Sequence, residues 1–226
     1  MRPIGGHSAG MIERDRLLDA APPAHERVYR TLRARVMHGL VEPGASFTLR
    51  GIAAEQGTSM TPAREAVRRL VAEGALRLSP SGRIAAPELT NERIEELASL
   101  RALLEPELAS RALPRAHAAL IDRMQAINAV IDEMIVKGDA SGYVRSNLEF
   151  HRTLYLRAQA PAILAMLETV WLQLGPTMRA LYERLQRRQA TDMHRTIIAA
   201  LRAGDEPGLR LAVRVDATQG LKMLLS

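Results

Sequence analysis

At 226 residues, 47% apolar but only 3% aromatic, the chain can bury a sizeable core, and its Ala-, Leu- and Arg-rich mix suits helix-on-helix packing rather than a β-sandwich. The net charge of +6 is nearly all arginine, with Lys137 and Lys222 the only lysines; it allows a polyanionic partner without requiring one, since a coding bias toward Ala and Arg gives the same excess. With no cysteine there is no disulfide, thiolate metal site or cysteine nucleophile, which suits a cytoplasmic protein, and no apolar run nears the roughly 20 residues of a membrane span.

Residues 1–23 lack the apolar stretch of a secretory signal and read as a mostly disordered lead-in, with Met11 an alternative start. Periodic structure begins at Ala24, where Val28, Leu32, Val36 and Leu40 recur at helical spacing and Gly39 supplies a stop. Pro43-Gly44 marks a turn. Thr48 is placed to cap a short helix over 49–56, ended by Gly57. Ser59 is the expected cap of a second, with Pro62 in its first turn; Ala66, Val67, Leu70 and Val71 form its inner side and Gly74 its stop. Leu76–Ser79 and Arg83–Ala85 alternate around Pro80-Ser81-Gly82, the pattern of a small β-hairpin.

Two short helices joined by a Gly-containing turn and followed by a hairpin make a winged helix-turn-helix over 24–88. From 89 to 226 every segment reads as helix: from the Thr90 cap to 112, from Pro114 to 136, 141–158, a segment opened by Pro161 and kinked or split at Pro176, 191–203, and 207–225. The fold class is therefore mainly α: the winged unit, then an all-helical antiparallel bundle of six or seven helices.

In a helix-turn-helix the start of the second helix enters the major groove. Ser59, Met60, Thr61 and Arg64 stand there, and Arg64 has the reach for a bidentate contact to guanine O6 and N7. Arg68 and Arg69 lie further along, suited to phosphates. Arg50 opens the preceding helix, and Ser81-Gly82-Arg83 form a wing tip. A solvated, ion-paired helix face explains any one of these arginines as well. Their order along the chain is harder to explain that way.

The run from Pro43-Gly44 through Leu49, Ile52-Ala53 and Thr58-Ser59-Met60-Thr61-Pro62-Ala63-Arg64-Glu65-Ala66-Val67-Arg68-Arg69-Leu70 to Gly74-Ala75-Leu76 resembles the GntR family winged helix. The helical remainder resembles the FCD ligand-binding domain of its FadR subfamily. The resemblance implies DNA contacts by Arg50, Thr61, Arg64 and the wing glycine Gly82. Met60 departs from it, because that position is often arginine and methionine offers only apolar contact, as to a thymine methyl.

Asn147 and His151 share a helix face four residues apart, while His194 and Asp216 lie on two later helices. Two imidazoles with oxygen ligands suit zinc, manganese, nickel or iron. Metal-binding FCD domains look like Asp-x-x-Phe-His followed by one histidine on each of two later helices. Here the residues are Asn147-Leu148-Glu149-Phe150-His151, then His194, then Asp216 in place of the last histidine. One carboxylate is lost and one gained, so the summed ligand charge is kept, with Asn147 the weaker ligand. Arg101 and Glu105 match the family's Arg-x-x-x-Glu; Arg101 would grip an effector carboxylate, or the two form an ordinary helical ion pair. Tyr155, Trp171 and Tyr182 read as core or pocket wall, and His7, His25, His38 and His117 as surface residues.

The leading expectation is a non-enzymatic regulator: a homodimer on a palindromic double-stranded DNA operator, repressing until a small organic or sugar acid, held with a divalent metal, changes its geometry. A metal-dependent enzyme on the bundle is the alternative. A plain dimerisation domain with a vestigial pocket is a third reading.

Overall fold

The computed structural model describes residues 22–185 and 193–225. All but the end of the expected lead-in, with His7 and Met11, and the expected helix start at Thr191 lie outside the described residues.

The N-terminal part comprises α1 (Ala24–Met37), β1 (Ser46–Phe47), α2 (Leu49–Glu55), α3 (Met60–Ala72), β2 (Arg77–Leu78) and β3 (Ile84–Ala85). Thr48 caps α2 as expected, its hydroxyl accepting from Gly51 N at 3.0 Å. Ser59 occupies the cap position of α3 in extended backbone, but its side chain makes no capping bond. The hairpin pairs Leu78 with Ile84. The sequence reading missed β1, which pairs Ser46 with Ala85 and makes a three-stranded sheet of order β1-β3-β2. Two residues are too few for a period of two to show. Gly82 turns the wing tip at φ +81°, with open space around it. Val28, Leu32 and Val36 of α1, Ile52 of α2, Ala63, Val67 and Leu70 of α3, and Ile84 of the sheet share one core.

The bundle comprises α4 (Asn91–Ala112), α5 (Ala118–Lys137), α6 (Ala140–Tyr155), α7 (Pro161–Leu185), α8 (Met193–Ala203) and α9 (Glu206–Leu225). Thr90 caps α4, and Asp139 caps α6 by accepting from Gly142 N at 2.8 Å. Two boundaries differ from expectation. Pro114 opens a 3-10 turn, Leu113–Arg115, rather than a helix; α5 starts only after His117, whose Nδ1 accepts from Leu120 N at 3.3 Å. A second 3-10 turn, Leu156–Ala158, ends at Gln159 in the left-handed region, so α6 stops before 158. Pro176 does not split α7. Leu108, Met124, Phe150, Leu154, Leu167, Trp171, Ile197 and Val213 are among the main core residues.

One helix ties the two parts together. Leu172 of α7 is fully buried in the core of the winged unit, and such burial is worth about 1.5–3 kcal/mol. Beside it, Gln173 Nε2 donates to the carbonyl of Glu73, the C-cap residue of α3, at 3.0 Å. Gly175 lets the end of α1 press against α7: a Cβ there would stand 2.1 Å from the Val36 carbonyl oxygen.

Candidate functional site

The arginines of the winged unit fall into two sets. Arg69 is held by Glu26 and Glu73, each at 3.2 Å, and its guanidinium lies 3.6 Å over the Tyr29 ring. Arg30 pairs with Glu26 and Arg35 with Glu55. By contrast Arg50, Arg64, Arg68, Arg77 and Arg83 are exposed and, among the described residues, have no carboxylate within ion-pair distance. The cause is helical spacing. Ala63, Ala66, Val67 and Leu70 turn one face of α3 into the core, so Thr61, Arg64 and Arg68 emerge on the other. Met60 is 42% exposed at the start of that face. Ser59, Ser81 and Gly82 are exposed as well. At the wing Ser79 Oγ approaches Ser81 Oγ at 2.8 Å and accepts from Arg83 N at 3.0 Å, which stiffens the turn. The result is an outward, uncompensated positive surface, the charge pattern that phosphate backbones attract.

The second constellation is internal. Glu105 of α4 is fully buried and takes three donors: Arg101 Nε and Trp171 Nε1 on one oxygen, Tyr155 OH on the other at 2.8 Å. Arg101 is itself only 5% exposed, so this is no ordinary surface i,i+4 pair. Burial would lower the Arg101 pKa, but Glu105 outweighs it and keeps the guanidinium charged. Tyr155 OH also lies 3.3 Å from Nδ1 of His151. From there the cluster reaches α8 and α9. His151 Nε2 is 3.0 Å from Asp216 Oδ2 and His194 Nε2 is 3.7 Å from Asp216 Oδ1. Burial pushes the Asp216 carboxyl up, but where the imidazoles are protonated its contact with His151, the His194 charge and the Arg101 charge bring it down to about 2. On the far side of the His194 ring, Nδ1 stands 2.8 Å from Asn128 Oδ1.

His151, His194 and Asp216 thus offer three ligand atoms that lie within 4.8 Å of one another. The donor set fits a divalent ion, and one detail supports the fit. His151 Nε2 is completely buried yet makes no hydrogen bond, because the nearby Asp216 oxygen lies off the line a ring N–H would need. Where that nitrogen carries no proton, its lone pair beside a carboxylate has the polarity a cation needs. Asn147 is buried one turn before His151 on α6.

Sequence reading missed Asn128 and underrated Tyr155 and Trp171. Asn128 is the one polar residue among the buried positions of α5, between Met124, Ile127 and Ile131. That interruption of an apolar face was the available signal. Nothing local distinguishes Tyr155 or Trp171 from core aromatics. Of the histidines set aside as surface residues, His25 and His117 are exposed, while His38 is partly buried, which lowers its pKa.

Comparison with known proteins agrees with both halves. The model of the gntR family of bacterial regulatory proteins matches residues 24–84, and that of the FCD domain matches residues 96–216. The HTH-type transcriptional regulator McbR of Escherichia coli is 27% identical over 201 residues, 88% of this chain and 91% of McbR. The gluconate operon transcriptional repressor of Bacillus subtilis is 30% identical over 154 residues, 68% of this chain and 61% of the repressor. Among solved structures, E. coli McbR/YncC superposes with a TM-score of 0.80 at 25% identity, over 91% of this chain and all of that one. A GntR regulator from Rhodococcus sp. RHA1 shares the fold, with a TM-score of 0.72 at 21% identity over 89% of this chain and 97% of that one. These families and relatives regulate transcription rather than catalyse, which removes the metal-dependent enzyme as an alternative. The chain belongs to the FCD-domain branch of the GntR family, the FadR subfamily, and is a DNA-binding transcription regulator.

Proposed function

We propose that this regulator is a cytoplasmic homodimeric repressor whose winged unit, 24–88, grips a palindromic operator and whose bundle, 89–226, senses a small organic or sugar acid together with a divalent metal. On the DNA side, Arg50, Thr61 and Arg64 read bases, Ser59 and Arg68 hold phosphates, Met60 packs on an apolar base edge, and Ser81-Gly82 approach a groove. The palindrome follows from the two-fold symmetry of a dimer.

The observation that carries the sensing half is the chain of contacts that runs from the buried Arg101 through Glu105 and Tyr155 to His151, which stands beside Asp216. His151, His194 and Asp216 would hold the ion, with Asn147 as a further, weaker oxygen donor. Zinc, manganese, nickel or iron bound there would act as a Lewis acid toward a carboxylate. Arg101, with Glu105 holding its guanidinium, adds a second positive anchor for the acid. The gluconate operon repressors among the relatives favour both repression and a sugar acid.

The route to DNA runs along α7. Trp171 bonds Glu105 beside the site, and the next two residues engage the winged unit: Leu172 in its core and Gln173 on the end of α3. An acid that binds one placement of Trp171 better than another thereby biases the pose of the DNA-reading helix.

The test is selection of bound DNA from a random pool, repeated with a carboxylate library and with or without chelator. Recovery of a two-fold symmetric site, released by one acid and only in metal-loaded protein, is the expected result. Release that persists in chelated protein rules out the metal. Indifference to every acid leaves the bundle a dimerisation domain.

A further inference from the structure

The two histidines of the trio are each held by a partner on the nitrogen that faces away from it, and those partners determine where the ring protons sit. At His194 the partner atom is Asn128 Oδ1, 2.8 Å from Nδ1. An amide oxygen only accepts, so Nδ1 carries the proton. At His151 the partner is the Tyr155 hydroxyl, 3.3 Å from Nδ1, which in isolation donates or accepts. Glu105 removes that freedom. Its carboxylate accepts from Tyr155 OH at 2.8 Å, and its other oxygen is taken by Arg101 and Trp171. A phenol keeps its one proton in the neutral range, and with the tyrosine oxygen 2.8 Å from the Glu105 carboxylate, which can only accept, that proton points at Glu105. The tyrosine oxygen is then left to accept from His151 Nδ1–H.

A neutral imidazole has one proton. With both protons on Nδ1, both Nε2 atoms present lone pairs, and both stand beside Asp216, at 3.0 and 3.7 Å. Three acceptors meet with no donor among them, and the buried His151 Nε2 without a hydrogen bond is the visible sign.

We propose that Tyr155 and Asn128 are positioning residues: they lock His151 and His194 as Nδ1–H tautomers and so present both Nε2 atoms, with Asp216, to a divalent cation. This rests on the metal reading above and goes beyond it. It names two residues that never touch the ion, and through Glu105 it joins the metal centre to the Arg101 anchor. Partners on the outer nitrogen of a ligating histidine generally set its tautomer and basicity, and their loss costs about 10–100-fold in metal affinity.

The experiment uses full-length protein and zinc ion alone as probe. Zinc affinity is read by competition with a chromophoric chelator. Ring tautomers are read by nitrogen-15 NMR of chelated protein, at a pH high enough to keep the rings neutral. Melting curves check that each variant folds. Tyr155→Phe, which nearly conserves volume, is expected to weaken zinc about 10–100-fold and to release His151 from the Nδ1–H form while leaving His194 unchanged. Asn128→Leu should do the reverse. Asn128→Asp, which keeps an oxygen acceptor, should retain both the tautomer and the affinity, a rescue that a purely structural role for Asn128 does not predict. Nε2–H tautomers in the wild type, or variants that leave tautomer and zinc affinity at wild-type values, overturn the proposal. If the wild type takes up no zinc, the metal reading falls, and the tautomer measurement still decides whether Tyr155 and Asn128 orient the rings.

Discussion

Arg64 and Arg68 on α3 and Arg101 on α4 are the same side chain in opposite settings. The first two are exposed and face no carboxylate among the described residues, while Arg101 is almost wholly buried and bonded to Glu105. An exposed guanidinium stays hydrated until it meets an anion, so it costs the fold little and is available for binding. A buried one must be paired at all times, because an uncompensated internal charge is expensive. The winged unit therefore keeps its chemistry outside the fold's energetics, and the bundle builds its chemistry into them. Removing a site residue should act on binding alone in the first region and on stability in the second.

The sharpest test is Glu105→Leu. It strands Arg101 and withdraws the acceptor of Tyr155 and Trp171, so the bundle should lose about 3–5 kcal/mol, read as a fall in melting temperature. Adding Arg101→Met should recover much of that loss, because the pair is replaced by apolar volume. A melting curve unmoved by Glu105→Leu would break the comparison. Next in size, Gly175→Ala forces a methyl against the Val36 carbonyl and should cost about 1–3 kcal/mol. Because it strikes the contact between α7 and α1, its unfolding transition should report whether the winged unit and bundle melt as one.

Arg64→Ala should weaken operator binding by about 1–3 kcal/mol, a loss of roughly 5- to 150-fold that narrows discrimination from random DNA in a gel shift. Its melting temperature should match wild type, since surface changes stay within about 0.5 kcal/mol. Arg69→Ala is its internal control: with Arg69 tied to Glu26, Glu73 and Tyr29, the loss should appear in stability more than in DNA affinity. The smallest effect is expected from Met60→Arg, which should shift operator preference in a selection experiment and leave overall affinity within a few-fold.

Much of the fold could be read locally. The apolar spacing of α1 and α3, the Thr48 and Thr90 caps, the stops at Gly57 and Gly74, and the turn at Gly82 lie within a few residues of what they control. The exposed arginine face follows from the same spacing. Features made by distant pairs could not be read so. Strand β1 exists only because β3, far along the chain, offers it an edge. The His117 cap and the Leu113–Arg115 turn show a boundary displaced by a few residues, where Pro114 was compatible with both a helix start and a tighter turn.

The candidate centre divides the same way. Sequence alone placed His151, His194 and Asp216 on three helices, and Arg101 with Glu105 on one turn of a fourth. Only tertiary packing decided that these groups meet, and that Asn128, 66 residues from His194, stands against its ring. It also decided that Glu105 takes its donors from Tyr155 and Trp171, 50 and 66 residues away. The physical reason is the range of the interactions. Periodicity, caps and turns are set by neighbours on the chain, whereas proton positions and convergent lone pairs are set by which helix faces pack together.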